Sequence, residues 1–230
     1  MSDPNLILLE SAAERLQGLL GDFVFVGGAT LGLLIPDSAA APVRPTTDVD
    51  VIAEVSSYID YVAISECLRR QGFAEDERPG APLCRWLHGE LILDVMPTEA
   101  SALGFGNRWY RPAFEAAQLV GLPSGTAIRV ITAPFFLGAK FEAFRGRGNQ
   151  DFLSSRDLED FISVIDGRQS ILNEIQSAPD DLRRFLAGAV RELLAETRFT
   201  DVLPGYLLPD DISQQRLPGL MRKLRSICGS

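Results

Sequence analysis

The chain predicts an α+β fold: a mixed β-sheet with helices on it, followed by an all-helical C-terminal part. Three observations lead there. Phe23-Val24-Phe25-Val26 is a short apolar strand that runs into Gly27-Gly28. Asp48-Val49-Asp50-Val51-Ile52 alternates carboxylate and β-branched residues with a period of two, the pattern of a strand with two different faces. After Thr132 strand patterns stop and only helical periodicities remain.

The elements follow in order. Leu6, Leu8, Leu9, Ala12, Leu16, Leu19 and Leu20 recur at helical spacing over 6–20, and Gly21-Asp22 break the pattern. The strand Phe23–Val26 comes next, and a helix from Ala29 to Leu34 ends before Pro36. Residues 36–47, rich in Pro, Ala and Thr, are a loop. Asp48–Glu54 is the second strand, and Tyr58–Gln71 is a helix closed by Gly72. Leu83–Leu87 and Glu90–Met96 form an antiparallel hairpin turned at His88-Gly89, and 97–116 reads as irregular. Gln118–Leu122 and Ala127–Thr132 flank the turn at Pro123-Ser124-Gly125. Helices are expected over 133–145, 155–166, 168–176, 179–198 and 210–227. The organisation is therefore a mixed-sheet core over 1–132 and a helical part over 133–230, with chemically suspicious residues in both.

Composition excludes several classes. The net charge is −9, with 9 Arg and Lys against 17 Asp and Glu up to residue 139 and 13 against 14 beyond it. An acidic chain is a poor non-specific binder of phosphate backbones, whose affinity comes from Lys and Arg. No apolar run reaches a membrane span of ~18 residues. The opening Met1-Ser2-Asp3-Pro4-Asn5 lacks the basic region and cleavage site of a secretory signal. Cys67, Cys84 and Cys228 are widely spaced and form no CxxC, which predicts neither a disulfide framework nor a zinc site, and a cytoplasmic setting. His88 is the only histidine and falls at a hairpin turn, so Ser/His/Asp hydrolysis and His-ligated metals are excluded.

What remains points to metal and phosphate chemistry. Asp48 and Asp50, two apart in a strand, share a face, and a divalent cation relieves their repulsion. Alone, the pair reads equally well as a solvated edge strand. Asp94 interrupts the apolar strand Leu91-Ile92-Leu93-Asp94-Val95-Met96, and a buried carboxylate is costly unless paired or metal-bound. Its alternative is a strand-end residue that reaches solvent or caps the turn at Pro97. Gly27-Gly28 lets backbone approach an anion, or is a plain tight turn. With Gly32 it does not give the GxGxxG spacing, and no Gly-Lys-Ser/Thr exists, so Rossmann and P-loop sites are excluded. Lysine is rare, with only Lys140 and Lys223 in the chain. Arg147, seven residues after Lys140, falls about 20° from it around a helix, so the two form a cationic pair suited to phosphate or a snorkelling surface pair. Ser154 and Asp157 have capping-box spacing, which accounts for Asp157 at the start of a helix and leaves Asp160 spare.

Gly27-Gly28-x-Thr30, Asp48-x-Asp50 and the isolated Asp94 resemble the signature of the DNA-polymerase-β-type nucleotidyltransferase superfamily. Lys140-Phe-Glu-Ala-Phe-Arg145-Gly-Arg147 through Arg156-Asp157-Leu158-Glu159-Asp160 is similar to the AbiEii/MenT-type branch, bacterial nucleotidyltransferase toxins of toxin–antitoxin systems and their uncharacterised relatives. The resemblance spans about residues 20–170. It implies a nucleotidyltransferase-like mixed sheet flanked by helices and a Mg²⁺-dependent transfer of a nucleotide from an NTP, with Mn²⁺ as a substitute metal. Asp48, Asp50 and Asp94 become the metal ligands and, with Lys140 and Asp160, the catalytic set. Gly27, Gly28, Thr30, Lys140, Arg145, Arg147 and Asp157 become nucleotide-binding residues, with Asp160 or Asp157 on a second face of the same site. The implied acceptor is an RNA 3′ end, such as that of tRNA, and the implied partner is an antitoxin protein, with no membrane involved. A small aminoglycoside-like acceptor, a protein hydroxyl and a non-catalytic nucleotide-binding member are the competing readings. A further C-terminal acidic-and-lysine motif of that branch has only Asp210-Asp211 and Lys223 as candidates, and the proline-bearing linker from Gly28 to Asp48 implies an ordered loop over the site.

Overall fold

The computed structural model describes residues 3–37, 39–148 and 151–229, so Met1, Ser2 and Ser38 of the segments discussed above lie outside the described residues. Its internal contacts divide the chain into two units, Met1–Gly32 with Arg44–Thr132, and Leu33–Val43 with Ala133–Ser230.

The first unit is a seven-stranded mixed sheet with helices on it. Helix α1 (Pro4–Arg15) begins where Asp3 accepts a hydrogen bond from Asn5 N and proline occupies the first turn. Leu9, Ala12, Ala13 and Leu16 are its buried stripe. It stops at Arg15, short of the expected 20, because a turn and a 3-10 segment over Leu20–Asp22 take over. Strand β1 (Phe23–Val26) is buried throughout. After Gly27 a single 3-10 turn leads into the short helix α2 (Leu31–Leu34). Strand β2 (Asp48–Ala53) alternates half-exposed Asp48 and Asp50 with buried Val49 and Val51. Helix α3 (Tyr58–Arg70) opens with a complete Ser57/Asp60 capping box and ends before Gly72, whose φ is 85°.

The hairpin is β4 (Arg85–His88) with β5 (Leu91–Pro97), preceded by a two-residue strand β3 (Ala74–Glu75) that the sequence did not reveal. Its turn falls at Gly89-Glu90, one residue later than expected. His88 ends β4 and meets the Phe73 ring edge-on at 5.3 Å, a structural role. The stretch read as irregular contains α4 (Tyr110–Glu115), and β6 (Gln118–Gly121) and β7 (Ala127–Val130) complete the sheet. The strand order is β3-β4-β5-β2-β1-β7-β6. The β2–β5 and β1–β7 pairs are parallel, and the others are antiparallel.

The second unit is helical: α5 (Ala133–Arg147), α6 (Arg156–Gly167), α7 (Ile171–Gln176), α8 (Asp180–Ala195), α9 (Thr197–Val202), α10 (Asp211–Gln214) and α11 (Leu217–Cys228). Two expected helices are each broken. The 179–198 segment parts at Glu196, whose extended backbone ends α8 and starts α9. The 210–227 segment parts at Gln215-Arg216, between α10 and α11. The cap of α6 is Ser155, which accepts from Leu158 N, and not Ser154, which is bonded to Asp151. Phe141, Phe161, Leu186, Val190, Leu220 and Leu224 are among the fully buried side chains of this unit.

Leu33–Val43 joins this unit through specific bonds. Arg216 donates to Asp166 at 2.8 Å and to Asp37 at 2.9 Å, and Arg168 donates to the Leu34 carbonyl at 2.8 Å. A Cβ on Gly167 would lie 2.4 Å from Ile35 Cγ2, so glycine there lets the segment lie against α6. Lys223 Nζ donates to the carbonyls of Ile165 (2.7 Å), Asp166 (2.8 Å) and Arg168 (3.1 Å), closing the C-terminus of α6 with a positive charge. Asp210 accepts from Ser213 N as the cap of α10. Lys223 and Asp210 thus have structural duties. Lys223→Met is expected to destabilise the protein by about 2–3 kcal/mol, the scale of charged hydrogen bonds lost to buried carbonyls, read as a lower midpoint in urea unfolding.

Candidate active site

Three carboxylates share one face of the sheet. Asp48 and Asp50 alternate with the fully buried Val49 and Val51 on β2. Parallel pairing with β5 sets Asp48 beside Ile92 and Asp50 beside Asp94, and in-register neighbours on adjacent strands share a face. Asp94 is only 7% exposed, between the fully buried Leu93 and Val95. The strand-end alternative for Asp94 is therefore not what the structure shows.

A cation completes the group. Arg85 pairs with Asp94 across the β4–β5 ladder, with Nε 2.8 Å from Oδ1 and Nη2 2.7 Å from Oδ2, a bidentate fork. Nη2 also reaches Asp48 Oδ2 at 3.4 Å. The fork to Asp94 raises the guanidinium's pKa above its ordinary value against the opposing effect of burial. The Asp48 Oδ1 atom accepts the Thr46 hydroxyl at 2.7 Å. Thr46 is in turn fixed by Asn5, fully buried at the start of α1: the Asn5 amide donates to the Arg44 carbonyl and accepts from Thr46 N, both at 3.0 Å. Neither Arg85 nor Asn5 was singled out from sequence. The visible signal for Arg85 was a basic residue opening a strand that pairs with the Asp94 strand, and it becomes meaningful only with the register known.

The glycines differ in their reasons. Gly27 has φ 69°, and a Cβ on it would lie 1.8 Å from Asp50 Oδ2, so the Asp50 carboxylate lies where a side chain would be. At Gly32 a Cβ would lie 2.4 Å from Asp3 Oδ2, so a side chain there would shift the Asp3 carboxylate. Gly28 has no such constraint, since a Cβ there would make ordinary contacts with Thr46 at 3.7 Å and with Arg44 at 4.0 Å. Thr30 is fully buried and its hydroxyl donates to the Gly27 carbonyl at 2.9 Å, so it holds the turn. Burial, with the Asp94 charge, pushes the Cys84 thiol up to about 12 and so favours its neutral form.

The remaining expected residues belong to the second unit, where they form an ion network of their own. Lys140 Nζ lies 2.6 Å from Asp160 and 3.5 Å from Asp157, and 5.5 Å from the centroid of the Phe136 ring. Arg147 forks onto Asp157, Nε at 2.8 Å and Nη2 at 2.9 Å. Lys140 and Arg147 do share a helix face, and Asp157 and Asp160 both turn toward it. Arg145 lies elsewhere, exposed and 3.9 Å from Glu192. Burial pushes the Asp157 carboxyl up, but the Arg147 hydrogen bonds and the Lys140 charge outweigh it and hold it below its ordinary 3.8.

All-oxygen donors suit a hard divalent cation. Among the described residues, however, no three His, Cys, Asp or Glu side chains stand close enough to hold one in their present positions. Asp48 and Asp94 nonetheless already converge on one positive charge, that of Arg85, so the donor set fits a cation. No helix among the described residues is long and apolar enough to cross a membrane.

The seven-stranded mixed sheet with its helices has a nucleotidyltransferase-like fold, as one solved structure shows. The chain is similar to the crystal structure of an antigenic nucleotidyltransferase-like protein from Paracoccidioides brasiliensis, with a TM-score of 0.52 over 98% of this chain and 94% of that one at 19% identity. No family model matches the chain. No curated protein matches it either.

Two outcomes are expected. Gly27→Ala, strained at φ 69° and overlapping Asp50, lowers stability by about 1–3 kcal/mol in thermal or urea unfolding. Because the folded pKa of Asp157 is depressed, its contribution is present above 3.8 and is lost as pH falls below it. Arg147→Ala is therefore less stable than the parent at pH 6, and the difference shrinks in urea titrations taken below pH 3.8.

Proposed function

We propose that the protein is a Mg²⁺-dependent nucleotidyltransferase of the AbiEii/MenT-type branch, moving a nucleoside monophosphate from an NTP to an acceptor hydroxyl. One placement supports this reading: Asp48 and Asp50 on β2, with Asp94 beside Asp50 on the parallel β5, next to the glycine turn at 27–28. Mg²⁺ or Mn²⁺ held by the three carboxylates supplies charge neutralisation at the α-phosphate and makes the acceptor hydroxyl more acidic.

The chain's own residues do the rest. Asp94, buried and oriented, receives the acceptor hydroxyl and takes its proton while the oxygen bonds to the α-phosphorus and the bond to the leaving pyrophosphate breaks. Gly28, which the fold leaves free to carry a side chain, gives the phosphates access to backbone N–H groups. The resemblance also assigns Lys140, Arg145, Arg147, Asp157 and Asp160 to the nucleotide. Lys140 and Arg147 are each committed to carboxylates of the second unit, so the proposal is carried by the first unit's residues.

The resemblance points to an RNA 3′ end as acceptor and to a toxin restrained by an antitoxin. The acidic excess up to residue 139 favours a second reading, a small hydroxylated acceptor or a protein hydroxyl. Incubation with each α-labelled NTP, Mg²⁺ and total RNA, aminoglycosides or protein separates them. Label on tRNA supports the first reading, and label only on a small molecule or a protein supports the second. Asp50→Asn is expected to lower transfer by on the order of a hundredfold or more, and transfer that survives it would sink the carboxylate mechanism.

A further inference from the structure

The carboxylates assigned to the metal are not all waiting for one. Both oxygens of Asp94 accept from Arg85, at 2.8 and 2.7 Å, and the same guanidinium lies 3.4 Å from Asp48 Oδ2. The pair is well sheltered, with 22% of the Arg85 side chain and 10% of the Asp94 side chain exposed. An isolated cross-strand ion pair would need only Asp94. Arg85 instead reaches past it to a carboxylate on a different strand, across the parallel β5–β2 pair.

A Mg²⁺ ligand oxygen sits about 2.0–2.1 Å from the ion, which tolerates little departure from octahedral geometry. An ion on Asp94 and Asp48 therefore lies within a few ångström of a guanidinium bound to the same oxygens. Two positive charges at that separation, in a partly desolvated place, repel strongly. Electrostatics thus allows either cation full occupancy of these oxygens, but not both at once.

We infer that Arg85 is a built-in competitor for the metal, exchanging with it at Asp48 and Asp94, so that the metal affinity of the site is set by the free energy of moving one guanidinium aside. The inference rests on the metal reading proposed above. In the metal-free protein Arg85 keeps adjacent carboxylates from repelling one another. When the ion arrives, the same side chain leaves Asp94. Arg85 is thus a positioning residue whose removal strengthens metal binding, the opposite of what removing a ligand does.

The test measures Mn²⁺ affinity, by the free-ion EPR signal, in the parent, Arg85→Met, Arg85→Lys and Asp48→Asn. Arg85→Met is expected to bind Mn²⁺ at least about fivefold tighter, within the usual range for coupled binding. Arg85→Lys, a point charge without the fork, is expected to fall between it and the parent. In parent protein carrying ¹⁵N-arginine, Mg²⁺ is expected to shift the Arg85 Nε–H resonance, a readout that stands even if Arg85→Met does not fold. Equal or weaker Mn²⁺ binding by the folded Arg85 variants, with binding lost in Asp48→Asn, overturns the competition and leaves the metal site standing. An unmoved Arg85 resonance at saturating Mg²⁺ also overturns it. Absence of Mn²⁺ binding in the parent and in Arg85→Met alike overturns the metal reading and this inference together.

Discussion

The parallel pairing of β2 with β5 is the constraint on which the site depends. It runs in register from Asp48–Ile92 to Ala53–Pro97, and a slip of one residue would turn Asp94 to the opposite face from Asp48 and Asp50. Register is enforced from behind. Val49, Val51, Leu93 and Val95 have no exposure, and none of them tolerates the carboxylate face. Parallel neighbours need a crossover, and the chain supplies it with α3 and the β3–β4 strands before returning as β5. That route also delivers Arg85 opposite Asp94, so the connection that makes the acidic face possible provides the cation that tempers it.

The approach to β2 is governed just as tightly. Asn5 is at the start of α1, yet its buried amide fixes the backbone of Arg44 and Thr46 immediately before the strand. Thr46 then fixes one oxygen of Asp48. Gly27 gives up its side chain to Asp50, and Gly32 gives up its own to Asp3 at the cap of α1. A chain of short polar contacts thus fixes the positions of two carboxylates on the strand.

Much of this was legible in the sequence, for definite reasons. Phe23–Val26 and Asp48–Ala53 could be read because apolar runs and period-two alternation reflect burial directly, and Asp94 stood out as a carboxylate in an apolar strand. Pairings between distant residues were not legible. Arg85 matters because of a register, Asn5 because of a loop 39 residues away, and Leu33–Val43 sides with the helical unit because of Arg216 and Arg168. Helix ends failed for a related reason: caps are chosen by backbone geometry among near-equivalent candidates, so Ser155 caps α6 beside an equally plausible Ser154, and Glu196 breaks a continuous helical pattern.

The two charged clusters differ in how their acids are held. In the helical unit Lys140 and Arg147 meet Asp157 and Asp160, two cations for two carboxylates, at distances of 2.6–3.5 Å. Burial pushes the Asp157 carboxyl up, and the Arg147 hydrogen bonds and the Lys140 charge outweigh it. On the sheet one guanidinium bonds both Asp48 and Asp94, and Asp50 stands in register beside Asp94. Acidic side chains on neighbouring strands can share that face because one arginine, delivered by a third strand, holds two of them together.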